Sequence, residues 1–290
     1  MTFPEAGAEG LPFEGPRPPA HDPDNPPWGL PGAVGVLILS FVLMLVTQAA
    51  FLIPYVLWRG VQLDALAQFA LTDAGAIFVQ VASIVPAHLL TLVAVWLLVT
   101  RVGRYPFFKS LGWDWGGGAT LWRCVGLALL LFLAGWGVVK VSGPTDNALE
   151  RLLQSSRAAA LATAFAATFT APLVEELVFR GLLYSALRRH VGKAWAVAVV
   201  FLLFALIHVP QYLPSYGVIA TILLLSFALT LLRARTGRLL PCFVVHLVFN
   251  GVQSVIIVAE PYLRGYLEKN PEPTPGLLFK LLLQHLGAAF

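Results

Sequence analysis

From Trp28 onward, one apolar run of bilayer-spanning length follows another: residues 29–57, 75–100, 119–141, 158–187, 194–210, 217–233 and 239–259. A helix needs about 20 apolar residues to cross a hydrocarbon core about 30 Å thick. The fold class that follows is all-α, a polytopic transmembrane helix bundle of about 7–8 spans. The eighth would be Pro275–Phe290, which is short and amphipathic and either lies in the interface or completes a span. Composition agrees, with 58% hydrophobic and only 12% charged residues, against roughly 25% charged in soluble domains.

The formal charge of +4 does not make this a nucleic-acid binder, because Lys and Arg sit in short clusters between apolar runs. Arg101, Arg104 and Lys109 follow the second run; Arg188, Arg189 and Lys193 follow the fourth; Arg233, Arg235 and Arg238 follow the sixth. Cytoplasmic loops carry such an excess. All three clusters are therefore expected inside, with the N-terminus cytoplasmic and the chain in a bacterial inner (plasma) membrane. The loop after the third run, with Lys140, Arg151 and Arg157, contrasts least.

Residues 1–27 are poor in aliphatics and crowded with proline, and read as a disordered cytoplasmic tail. They lack a basic region followed by an apolar one, so a cleaved signal peptide is not expected. Residues 28–145 form the N-terminal transmembrane helices, 146–259 a transmembrane core with unusual polar residues, and 260–290 a tail. The cysteines, Cys124 and Cys242, lie in apolar runs without a CxxC partner and read as packing residues.

Ionisable groups inside a membrane are costly, about 2.5–3.5 kcal/mol for a central charge. The fourth run carries Glu175, Glu176 and Arg180 in APLVEELVFRG; the fifth ends in FALIHVP with His208; the seventh holds VVHLVFNG with His246 and Asn250. Glu176 and Arg180 are i,i+4 neighbours in the favoured order for an ion pair. Glu175 points about 100° away and is left without a local partner. His246 and Asn250 share a face, and Phe204 stands one turn before His208, where it can pack beside the imidazole. Counting 1.5 Å per residue puts Glu175 about 18 Å, His208 about 21 Å, His246 about 11 Å and Asn250 about 17 Å from the basic ends of their helices. One shared polar pocket near the midplane is expected.

A carboxylate, two imidazoles and an amide suit hydrolysis of an amide where water is scarce. Glu175 would take a proton from water, the two histidines would bind a metal or hold the water directly, and Asn250 would donate to the oxyanion. His208, His246 and Glu175 also make a zinc set, although no HExxH signature is present.

The motifs EELVFR, FALIH and HLVFN fit EExxxR, FxxxH and HxxxN in order. Over about residues 155–255 the chain resembles the CPBP family, the CAAX prenyl-endopeptidase-like (Abi) intramembrane proteases. The resemblance implies Glu175 as activator of a catalytic water, and His208, His246 and Asn250 as the groups positioning that water and the oxyanion. It gives Glu176 and Arg180 a supporting role and leaves open whether zinc takes part. The implied partners are the lipid bilayer and a membrane-associated peptide or protein substrate cut near a lipid-anchored or membrane-embedded terminus, with no nucleic acid.

Two other readings compete. Glu, His and Arg inside helices also mark the ion pathways of transporters and proton-coupled carriers, but no inverted repeat or paired interrupted spans are visible. A non-catalytic immunity or scaffold protein would keep the fold; an intact set of three motifs argues against it. His190, in a basic loop, and His285 read as surface residues.

Overall fold

The structure is a computed structural model, and it describes residues 23–143 and 156–269. Residues 1–22, Arg151, His285 and the amphipathic segment 275–290 lie outside the described residues. Every regular element among the described residues is helical, without strands, as backbone crossing lipid requires, since every N–H and C=O must be satisfied within its own segment.

Among the described residues six helices are long and apolar enough to cross a membrane, and the chain is an integral membrane protein. The first is α1 (Leu30–Arg59), started by a proline in its first turn and stopped by Gly60 in the left-handed conformation. The second forms from α3 (Ala74–Ala82) and α4 (Ile84–Thr100) across Ser83, after the short α2 (Leu66–Thr72). The Asp73 carboxylate caps α3 by accepting from the Ala76 N–H. After α5 (Phe107–Leu111) comes α6 (Leu121–Ser142), capped by Thr120.

The fourth helical run spans Arg157–Tyr212, 56 residues. It consists of α7 (Arg157–Phe165), a π-helical turn at Ala166–Thr170, α8 (Ala171–Glu175), a second π-helical segment at Glu176–Leu183, and α9 (Tyr184–Tyr212). Its direction changes at Gly192, whose φ of 78° and ψ of 171° no helix contains. The break divides the run into the two legs that the sequence separates at 188–193. Then come α10 (Tyr216–Thr236) and α11 (Leu240–Lys269).

Two apolar cores hold the bundle. One gathers Val95 and Val99 of α4, Leu177 and Leu182 of the second π-helical segment, and Val200 and Phe204 of α9. The other joins Leu131 and Phe132 of α6, Leu229 of α10, and Val245 and Phe249 of α11. It includes both cysteines, which are buried and unpaired. Lipid tails are as apolar as leucine, so close packing rather than water exclusion must hold such helices together. Gly217 supplies it between α10 and α6: a Cβ there would lie 2.8 Å from Ser142 Oγ and 3.0 Å from Val139 Cα. Large apolar side chains such as Leu45, Leu57, Trp122 and Leu206 remain exposed and offer the outer surface lipid wants.

The three basic clusters meet at one end of the bundle, around residues 23–28. Arg188 and the buried Arg233 both pair with Asp24, Arg233 at 2.9 Å. Arg189 donates to the carbonyls of Pro26 and Trp28, and Arg101 to that of Pro27. The Trp28 indole N–H donates to Leu182 O at 3.2 Å. Four arginines and the Trp28 indole thus connect residues 23–28 to the bundle.

Candidate active site

The two adjacent glutamates stand where α8 passes into a π-helical segment, the kind of widened turn that often accompanies functional sites. Their side chains part as helix geometry requires. Glu176 is fully buried and faces the protein; Glu175 keeps 24% of its side chain exposed and faces a cavity.

Glu176 is the hub of the buried side. Its Oε1 accepts from Arg180 at 3.0 Å and from His246 Nδ1 at 2.8 Å. Arg180 is itself fully buried and donates further to Thr230 Oγ1, Ser226 O and Ser226 Oγ of α10. Its guanidinium lies 4.3 Å from the centre of the Phe204 ring, a cation–π contact that gains strength away from water. Phe204 in turn packs beside His208, ring centres 4.7 Å apart. The i,i+4 ion pair is present as expected, and it does more than neutralise itself, since it also fixes an imidazole on another helix.

Those contacts set the tautomers of both histidines. His208 Nδ1 lies 2.7 Å from Phe204 O, which can only accept, so Nδ1 carries the proton. His246 Nδ1 meets a carboxylate and does likewise. Both Nε2 atoms then present lone pairs: His208 Nε2 lies 4.0 Å from Glu175 Oε1, and His246 Nε2 3.7 Å from Glu175 Oε2. These spacings are too long for direct hydrogen bonds and short enough for one bridging water. Asn250 lies nearby, one amide N–H spent on Ala167 O at 2.8 Å and the other uncommitted among the described residues.

Glu175, His208, His246, Asn250 and Phe204 all line one cavity of about 320 Å³. The structure thus brings together the residues singled out by the three motifs. Glu176 and Arg180 stand behind the cavity wall. Other polar groups in the cavity are less visible in the sequence. His88 of α4 lines it and bonds Thr170 at 2.8 Å; it is a lone histidine in an apolar run, with no companion at helical spacing to mark it. Tyr212, Gln253 and Ser254 also line it, Ser254 accepting from Thr168 at 2.9 Å.

A zinc ion would need His208, His246 and Glu175 to converge to about 2.0–2.2 Å from one point. The donor chemistry suits zinc, because each Nδ1–H is held by an oxygen and each Nε2 is free to ligate. The placement does not: among the described residues no group of three His, Cys, Asp or Glu side chains is arranged to hold a metal ion.

Residues 157–252 match the model of a known family, the type II CAAX prenyl endopeptidase Rce1-like family, in agreement with the resemblance carried by the three motifs. Every motif residue lies inside that stretch; α1 to α6 lie outside it. No curated protein and no solved structure matches the chain.

Proposed function

We propose that the chain is an intramembrane endopeptidase that hydrolyses a peptide bond near a lipid-anchored or membrane-embedded terminus, with a water activated by Glu175. The observation that carries this reading is the one-water gap between the Glu175 carboxylate and the Nε2 atoms of His208 and His246, whose tautomers are fixed from behind. The family match over 157–252 supports the reaction class.

Glu175 takes a proton as the water oxygen attacks the scissile carbonyl carbon. With one proton directed at Glu175, the water has one left, and the Nε2 lone pairs of the two histidines are alternative acceptors for it, so the water is oriented before the reaction begins. The uncommitted Asn250 N–H donates to the oxyanion, a contact stronger in the tetrahedral intermediate than in the substrate. As the C–N bond breaks, the proton held by Glu175 passes to the leaving amine, and the carboxylate is restored. Glu176 and Arg180 act through His246, not on the substrate.

The shared basic end of the bundle supports a cytoplasmic N-terminus in a bacterial inner membrane. The test is cleavage of acyl-anchored and transmembrane peptides by the purified protein in nanodiscs. Glu175→Gln should lower kcat by about 10³-fold or more, the scale on which loss of a catalytic group is felt. A carrier would instead move solute across a vesicle membrane, and the same substitution would stop flux while no peptide is cut at all.

A further inference from the structure

His88 enters the active-site cavity from the half of the chain that the family match does not reach. It sits one turn into α4, is buried, and lines the same cavity as Glu175 and both motif histidines. Its Nδ1 lies 2.8 Å from Thr170 Oγ1, and Thr170 Oγ1 donates to Ala166 O at 3.3 Å. A hydroxyl has one proton. When Thr170 gives that proton to the carbonyl it can only accept from the ring, and in that arrangement His88 Nδ1 is the protonated nitrogen and Nε2 carries a lone pair. Among the described residues Nε2 has no hydrogen-bond partner.

A peptide entering this cavity must satisfy its backbone N–H groups, because an unpaired amide away from water costs as much as a lost hydrogen bond. Met44, Ile84, Val139 and Phe249 offer no side-chain acceptor, while Gln211, Tyr212, Gln253 and Ser254 also line the cavity, and the Nε2 atoms of His208 and His246 face Glu175 across the gap where water must sit. His88 Nε2 is an acceptor with a fixed direction and no competing duty. Building on the endopeptidase reading, we propose that His88 is a substrate-binding residue of the active site, its Nε2 accepting one backbone N–H of the bound peptide beside the scissile bond.

The test uses the full chain in nanodiscs and a series of acyl-anchored fluorogenic peptides, each N-methylated at one backbone position around the cleavage site. His88→Ala should lower kcat/KM about tenfold, mainly through KM, as loss of one buried hydrogen bond predicts. At one position N-methylation should cost the wild type a similar factor and cost His88→Ala nothing more, the non-additivity of two groups that touch. His88→Gln, whose amide oxygen reaches near the Nε2 position, should recover part of the loss.

Two results would overturn the proposal. One is an unchanged kcat/KM in His88→Ala; the other is a loss that multiplies with every N-methyl penalty, which would mean the ring only props Thr170. Failure of the endopeptidase reading looks different: the wild type cuts none of the peptides, or Glu175→Gln cuts them as well as the wild type, whatever His88 does.

Discussion

His246 gives its Nδ1 proton to Glu176 at 2.8 Å, on the same carboxylate oxygen that receives Arg180 at 3.0 Å. One buried oxygen therefore holds the motif helix, α10 through Arg180, and α11 through His246. The neighbouring glutamates divide the work: Glu176 builds the site, and Glu175 is left loosely held to do chemistry.

That division predicts unequal stability effects. Glu176→Gln leaves Arg180 buried without its counter-charge, a loss of about 3–5 kcal/mol, and should lower the thermal midpoint in detergent by many degrees. Glu175→Gln removes no hydrogen bond shorter than the one-water gap and should melt close to wild type while inactive. Equal melting of the two variants would contradict the assignment.

Asp24 makes a second prediction, at the basic end outside the spans. Burial pushes its carboxyl up, but hydrogen bonds and charge from Arg188 and Arg233 outweigh burial and hold it below the ordinary value of 3.8. Its folded-state value is thus lower than the unfolded one. The clasp contributes its full stability above the unfolded value and loses it as pH falls through the folded value. Wild type should melt above Asp24→Asn at neutral pH, by about 1–3 kcal/mol for a partly exposed partner of a buried arginine. The two curves should merge in acid; a constant gap down to the lowest pH would refute the linkage.

Metal content provides a third. The purified wild type should hold far less than one zinc per chain, and a chelator should leave cleavage unchanged. Near-stoichiometric zinc in wild type that disappears in a His208→Ala, His246→Ala double variant would instead place the ion between these rings and make Glu175 act on metal-bound water.

Much of this was legible in the sequence because it is local. The Glu176–Arg180 pair, the shared face of His246 and Asn250, and Phe204 beside His208 are all i,i+4 relations, and one helical period reveals them. The bond from His246 to Glu176 spans 70 residues and depends on how α11 is placed against the motif helix, which no periodicity encodes. His88 escaped for the same reason: what matters about it is Thr170, 82 residues away. The contacts of the 23–27 stretch were equally invisible, since they come from arginines distributed over three other helices. Both π-helical segments were also invisible, since AATFT and ELVFRGLL read as ordinary helix.

The Asp24 clasp has a consequence for how the molecule could be cut apart. The stretch that relatives share, 157–252, contains every group assigned to the chemistry, yet it is not a self-sufficient module. Its buried Arg233 takes its counter-ion from Asp24 near the start of the chain, and part of its cavity lining, Met44, Ile84, His88 and Val139, comes from outside the stretch. Grafting that stretch onto another set of first helices would carry over the scissors but not the grip, so an exchange of those helices between relatives should change which peptides are accepted before it changes how they are cut.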